Sequence, residues 1–424
     1  MSPETPYTPA QRWWFLSILF LVASCNYMDR VIIAVLLEPI KNEFGASDTL
    51  MGLLSGASFA IMYAVMGIPF ARWADRGNRK YIITLALVFW SLMTALCGAA
   101  QTFWQLALAR VGVGVGEAGS LPASQSLLVD YFPPHQRAQA LAVFTSAGTV
   151  GYLLAFIGGS ALVAQYGWRW TLFAAAVPGL LVAFITMWGL KEPRSVLKSQ
   201  FVAARSDQST ESVKESLLVL WHKRSFRYAA FALTFWAFFT YGAMLFVPSH
   251  LVRAMNVDLK EVGAAYGGAS AVSALIGTLG GGWLTDRLAR LDRRWVLRLP
   301  AWGMVAATPL YVAAFLVQNF WVFLLIGALA GCLVSAALPA FFTATHAVCG
   351  ARRRAMAVAV LLFFMSLIGA GLGPVVTGVV SDLLLPQFGA QALGYALALM
   401  SLSMLVVAGL AFLSSKHLEA DAET

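Results

Sequence analysis

Charged side chains are scarce: only 12% of the 424 residues are Asp, Glu, Lys or Arg, against about a quarter in an average soluble domain. Hydrophobic residues make up 59% of the chain, and the mean hydropathy is +0.74. A soluble fold of this size lacks the polar surface to cover so much apolar material, so the solvent for most of the chain is lipid. Long polar stretches are rare too. The only one inside the chain is 191–225, which holds KEPRSVLKSQ and ARSDQSTESVKES. No hydrophilic segment is large enough for a soluble catalytic domain.

Cysteine is limited to Cys25, Cys97, Cys332 and Cys349, within or at the ends of apolar runs and without C-x-x-C spacing. They read as small apolar filler and say nothing of redox compartment. The five histidines are scattered, without zinc-site spacing, so no metal site is expected. G-x-S-x-G, H-E-x-x-H and G-x-G-D patterns are missing, which weighs against an intramembrane lipid-modifying enzyme. The run Gly114-V-Gly116-E-A-Gly119 formally matches G-x-G-x-x-G. No strand precedes it and it sits inside an apolar run, so a dinucleotide site is rejected. Acidic residues number 20 against 29 basic ones, for a net charge of +9. No long basic tract is interleaved with aromatics, so nucleic acid is not an expected partner.

What the chain does have is apolar runs long enough to span a bilayer, which takes roughly 20 residues as a helix. Spans are expected near 13–38, 50–71, 81–100, 103–129, 138–164 and 169–190. A second set is expected near 226–252, 260–284, 295–317, 320–348, 354–383 and 390–414. Period-2 alternation is missing, which excludes a transmembrane β-barrel. The organisation expected is a six-helix bundle over 1–190, a cytoplasmic linker over 191–225, and a second six-helix bundle with a short tail over 226–424. The first apolar run is too long for a signal h-region and no A-x-A site follows it, so the first helix is expected to be retained.

Nearly all of the 29 basic residues fall on alternate loops. The opposite loops hold only Lys41, Arg169, Arg253 and Lys260, while Arg30 and Arg110 lie inside spans. By the positive-inside rule both termini are expected in the cytoplasm. The halves also repeat. After the second span comes A-R-W-A-D-R-G-N-R-K (71–80), and after the eighth G-W-L-T-D-R-L-A-R (282–290). Small-residue runs recur in the fifth and eleventh spans (GYLLAFIGG, 151–159; GAGLGP, 369–374). Glycines at such spacing let helices approach closely. Internal repeats of this kind mark secondary transporters, whose cargo site lies near the bilayer midplane between the halves.

The loop A-x-x-A-D-R-G-N-R-K resembles the cytoplasmic signature of the major facilitator superfamily, with Ala71 where Gly is usual. The fourth span, Arg110-V-G-V-Gly114-V-Gly116-Glu117-Ala118, resembles that superfamily's fourth-helix motif. A narrower resemblance is to the Spinster-like lipid transporters of bacterial type. It rests on N-Y-M-D-R (26–30), A-R-V-G-V-G-V-G-E-A (109–118), D-R-G-N-R-K (75–80) and G-Y-L-L-A-F-I-G-G (151–159). W-R-W (168–170), K-E-P (191–193) and A-R-R-R-A-M-A-V-A-V with a later V-S-D-L-L (351–384) add to it. The animal members carry a His and an acidic residue in the eleventh helix, where this chain reads F-F-M-S-L-I-G-A-G, so their exact cargo does not carry over.

Charges at membrane depth are costly and are functional candidates by default. Asp29 and Arg30 lie mid-span in helix 1, and Arg110 and Glu117 in helix 4. Arg110 and Glu117 are seven apart, on one face, about 10 Å along the axis. Asp29 and Arg30 point about 100° apart, so one can face a cavity while the other reaches helix 4. Two neighbouring carboxylates in a low dielectric do not both stay ionised, and one so tuned can load and release a proton. The Spinster-like resemblance implies the same roles: Asp29 and Glu117 as proton-coupling acids, Arg30 and Arg110 as their partners. The bland alternative is a static salt-bridge cluster joining helices 1 and 4. Arg30 and Arg110 also suit a phosphate or carboxylate headgroup, because the guanidinium fork binds oxygens in pairs.

Tyr152, Phe239, Thr240 and Tyr241 are candidate cavity residues, with packing and lipid contact as the competing reading. Asp75, Arg76 and Arg79, with Asp286 and Arg287, are expected to latch helix ends as a cytoplasmic gate, the role the superfamily resemblance implies. The function expected is proton-coupled transport of an amphipathic lipid, a lysophospholipid or sphingoid-type phosphate, by alternating access. The alternative cargo is a small organic anion or a drug. No cofactor is expected beyond a proton gradient, the working unit is a monomer among membrane lipids, and the location is the inner membrane of a bacterium.

Overall fold

Backbone amides in hydrocarbon must find their partners within their own helix or a closed barrel. In the computed structural model this chain takes the helical solution throughout: among the described residues, 7–193 and 213–422, no strand occurs. The first helix, α1, spans Pro9–Phe44. It starts four residues earlier than its apolar run because Thr8 and Gln11 form a reciprocal capping box and Pro9 sits in its first turn. It ends at Gly45, whose φ of 58° an L side chain rarely adopts. Next come α2 (48–76), α3 (Arg79–Ala99), α4 (Phe103–Tyr131), α5 (134–166) and α6 (168–189). Gly167, at φ 78°, makes the break between α5 and α6.

The stretch 191–225 is the one expected as a linker between the two bundles. It contains a helix, α7 (Val213–His222), while 194–212 lie outside the described residues. Then follow α8 (Arg224–Met255), α9 (259–289), α10 (Trp295–Leu316), α11 (320–348), α12 (350–388) and α13 (392–421). Nine helical stretches among the described residues are long and apolar enough to cross a membrane, two of them 56 and 66 residues long. Those two hold the α5–α6 and α12–α13 pairs, so each folds back on itself.

The residues gather into two units. Residues 7–193 without 47–57 make up one, and 47–57 with 213–422 the other. In the first, α1 packs on α5 and α6, α2 on α4, and α3 on α4 and α6. In the second, α8 packs on α12 and α13, α9 on α11, and α10 on α11 and α13. The pairings correspond one for one, so the repeat seen in the loops extends to the packing. Single π-type turns fall in α2, α5, α9 and α12, the second and fifth long helices of each half. Large apolar side chains face outward from both units, among them Trp104, Phe184, Trp188 and Leu325. A surface so rich in bulky apolar groups suits lipid rather than water.

Candidate functional site

The four charges expected at membrane depth meet inside the first unit, and they pair across helices. Arg30 of α1 donates to Glu117 of α4 through Nη2 at 2.9 Å and Nε at 3.2 Å, both to Oε2. Asp29 of α1 sits 3.9 Å from Nη1 of Arg110 of α4 and accepts from the Thr94 hydroxyl of α3 at 2.8 and 2.9 Å. Asp29, Arg110 and Glu117 are buried, and Arg30 is half-buried. The neighbouring positions 29 and 30 therefore serve different partners, as a 100° helical step requires.

Aromatic faces complete the setting. The Arg30 guanidinium lies 4.8 Å from the ring centres of both Phe59 and Tyr63 on α2, and Asn26 accepts from it at 3.4 Å. Such rings hold a cation without neutralising it. The cluster is not saturated. Glu117 Oε1 and Arg110 Nε and Nη1 are buried without a hydrogen-bond partner among the described residues. A buried polar atom left unpaired is costly, so this geometry suits a site completed by a proton, water or an anionic group. The chemistry available is exchange: a proton taken up by either carboxylate weakens its hold on a guanidinium, which is then released toward another anion.

The other expected site residues are spread out. Tyr152, half-buried, stacks on Phe156 at 4.5 Å. Phe239 is fully buried in the second unit and meets Tyr311 edge-on at 4.9 Å. The Thr240 hydroxyl donates back to the Trp236 carbonyl at 2.9 Å, and Tyr241 is half-buried. Among the gate candidates, the side chains of Asp75 and Arg76 lie outside the described residues. Arg79 is fully buried inside the first unit. It is held by Glu192 and Asp130, with Ser126 Oγ at 2.9 Å. Asp286 and Arg287 are exposed, Arg287 lying 5.6 Å over the Trp283 ring.

Three further contacts went unread in the sequence. The K-E-P stretch after α6 is a fastener: Glu192 takes Arg79, while the Tyr131 hydroxyl donates to the Lys191 carbonyl at 2.5 Å. In W-R-W, Trp168 Nε1 donates to Glu43 at 2.6 Å and Arg169 to the Ala100 carbonyl at 2.8 Å, joining the start of α6 to the ends of α1 and α3. In the second unit, buried Asp48 accepts from both Nη1 and Nη2 of Arg253 at 2.7 Å and from the Ser381 hydroxyl at 2.7 Å. Asp382 caps the same turn, taking the amides of Asp48 and Thr49 at 2.9 and 2.8 Å. A carboxylate at a helix N-terminus is stabilised by the free amides there. The α12 helix can approach this closely because a side chain at Gly52 would meet the Pro374 carbonyl, and one at Gly378 the Asp48 carbonyl.

The model of the Major Facilitator Superfamily matches residues 19–299 and 243–423. The chain belongs to that superfamily, in its Spinster-like branch. A bacterial homolog to the human lysosomal transporter Spinster, crystallised in an inward-facing, unoccupied conformation, superposes with a TM-score of 0.88 at 30% identity, over 99% of this chain and 100% of that one. An MFS-type efflux pump of Mycolicibacterium smegmatis is 35% identical over 95% of this chain and 92% of its own length. Protein spinster homolog 1 of Xenopus tropicalis is 31% identical over 69% of this chain, a match that spans 58% of that protein. The protein is thus a multi-pass integral membrane transporter.

Proposed function

We propose that this chain is a proton-coupled secondary transporter of an amphipathic lipid carrying an anionic headgroup, with a lysophospholipid or sphingoid-type phosphate as the leading cargo. Twelve spans with both termini in the cytoplasm of a bacterial inner membrane, working as a monomer by alternating access, complete the reading. It needs no cofactor, and the proton gradient supplies the energy. The observation that carries it is the crossed cluster of Asp29, Arg30, Arg110 and Glu117, with Arg110 donors and a Glu117 oxygen left over. Asp29 and Glu117 exchange the proton. Arg30 and Arg110 hold the acids and, once released, the headgroup oxygens. The gate roles of Asp286 and Arg287 at the inner loop, and the cavity roles of Tyr152, Thr240 and Tyr241, belong to the same reading.

A second cargo reading, small organic anions or drugs, draws support from the mycobacterial relative described as an efflux pump, which matches along most of its length. Arg30 and Arg110 serve a carboxylate as well as a phosphate. Uptake of labelled lysophospholipid and of a small dicarboxylate into proteoliposomes of the purified chain separates the two. Lipid uptake above protein-free vesicles supports the first cargo; dicarboxylate uptake without lipid uptake overturns it and leaves the second.

A further inference from the structure

The second unit contains a cavity of about 570 Å³ far from the crossed cluster in sequence. Its lining residues include inner-loop positions within 286–293, which the loop charges assign to the cytoplasmic side. Its rim carries Arg290 and Arg293, just beyond α9, with His346 of α11 and Arg354 of α12. The one carboxylate on the rim is Asp286, so three guanidiniums face a single negative charge. Val296 and Leu418, both buried, form part of an apolar floor.

The partnering of the arginines separates this rim from its surroundings. Arg294 is bound to Glu419 at 2.8 Å, and Arg298 to Asp292 at 3.5 Å. Among the described residues, Arg290, Arg293 and Arg354 make no side-chain hydrogen bond or ion pair, and neither does His346. Apart from Asp286 on the rim, Glu419 and Asp292 are thus spent on arginines that do not line the cavity. Three guanidinium forks lining one cavity form a strong set of donors to phosphate oxygens. Beside the cavity, Trp283 and Leu291 are 63% and 80% exposed. An exposed tryptophan at the end of an apolar helix sits at headgroup depth, and basic pockets between helices on that side suit anionic headgroups.

We propose that this cavity binds a phosphate-bearing anion at the inner membrane surface, bridging the ends of α9, α11 and α12. The phosphate comes either from an anionic phospholipid of the inner leaflet or from a soluble phosphate compound. This site is separate from the transported cargo's, and the inference stands whatever that cargo is.

The test is thermal unfolding of the purified full chain in a neutral detergent, since a ligand that binds only the folded state raises the midpoint with its concentration. Phosphatidylglycerol is titrated against phosphatidylcholine, and inorganic phosphate against chloride at equal ionic strength. The expected result is a saturable rise with phosphatidylglycerol and none with phosphatidylcholine. Arg290→Gln with Arg293→Gln should raise the half-saturating concentration at least tenfold, whereas Arg224→Gln with Arg227→Gln, which removes the same charge elsewhere, should leave it unchanged. A saturable rise with inorganic phosphate, equally dependent on Arg290 and Arg293 and no stronger with phosphatidylglycerol, keeps the site and assigns it to a soluble ligand. If the double variant does not fold, Arg354→Gln carries the same comparison. No saturable rise, or one that the cavity variants and the charge control weaken alike, overturns the proposal.

Discussion

Arg30 places both its Nε and its Nη2 on one oxygen of Glu117, Oε2, and leaves Oε1 of that buried carboxylate without a partner. A fork engaged on both oxygens would be a closed structural pair. A fork on one oxygen leaves the other as a place where a proton can arrive without first breaking the pair. Arg110 is likewise incomplete, 3.9 Å from Asp29 with Nε unmet. Two half-satisfied pairs are what the proposed proton exchange requires and a closed salt-bridge cluster would lack.

Glu117→Gln keeps the volume and removes the exchangeable charge. It is expected to fold and to abolish the response of transport to an imposed pH gradient. Glu117→Ala leaves Arg30 without its carboxylate, and the loss of one partner from a buried pair costs about 3–5 kcal/mol. Thermal unfolding of the two variants should therefore differ clearly, with the Ala variant melting lower.

Thr94→Val removes the hydroxyl that donates to both oxygens of Asp29. A hydrogen bond to a charged group contributes about 1.5–3 kcal/mol. The variant should lose stability of that order and shift the pH profile of transport, because the ionised form of Asp29 loses its donor. A profile unmoved by Thr94→Val would mean that Asp29 does not titrate during the cycle.

Glu192→Ala tests the fastener on Arg79. Arg79 is fully buried and also holds Asp130 and Ser126. Losing Glu192 leaves Arg79 held by Asp130 and Ser126, so the cost should fall below the about 3–5 kcal/mol of a fully orphaned buried charge, and Glu192→Ala with Arg79→Leu should be less stable still, because Asp130 then loses its partner as well. Chemical unfolding of the two variants checks the sign.

Asp48→Asn weakens the bidentate grip of Arg253 and the Ser381 contact on the first turn of α2. Faster hydrogen exchange over 48–57 is expected, with α1 unaffected. If α2 exchanges as slowly as before, Asp382 alone is sufficient to hold that turn.

Much of this was legible in the sequence, for reasons that differ by residue. Asp29, Arg30, Arg110 and Glu117 stand out because a charge within an apolar run has no ordinary explanation. The seven-residue spacing of Arg110 and Glu117 also puts them on one face. Their crossed pairing was not readable, since it depends on how α1 and α4 are rotated against each other. Thr94 carries no signal, because a threonine in a span usually bonds its own helix, as Thr240 does. The grip on Asp48 joins positions 205 and 333 residues apart, and Arg253 by sequence is merely a loop charge. Arg79 reads as part of the inner-loop signature; only the fold brings Glu192, 113 positions away, onto it.

The central proposal is that movements of cargo and proton are coupled through this cluster, and linkage between them must run in both directions. The most direct measurement is therefore proton flux driven by lipid alone. Proteoliposomes holding a pH-sensitive dye are given lysophospholipid on one side, with no pH gradient imposed. The account predicts a change of internal pH that follows lipid movement in the wild-type chain and is missing in Glu117→Gln and Asp29→Asn. Lipid movement at the wild-type rate with no change of internal pH would contradict it.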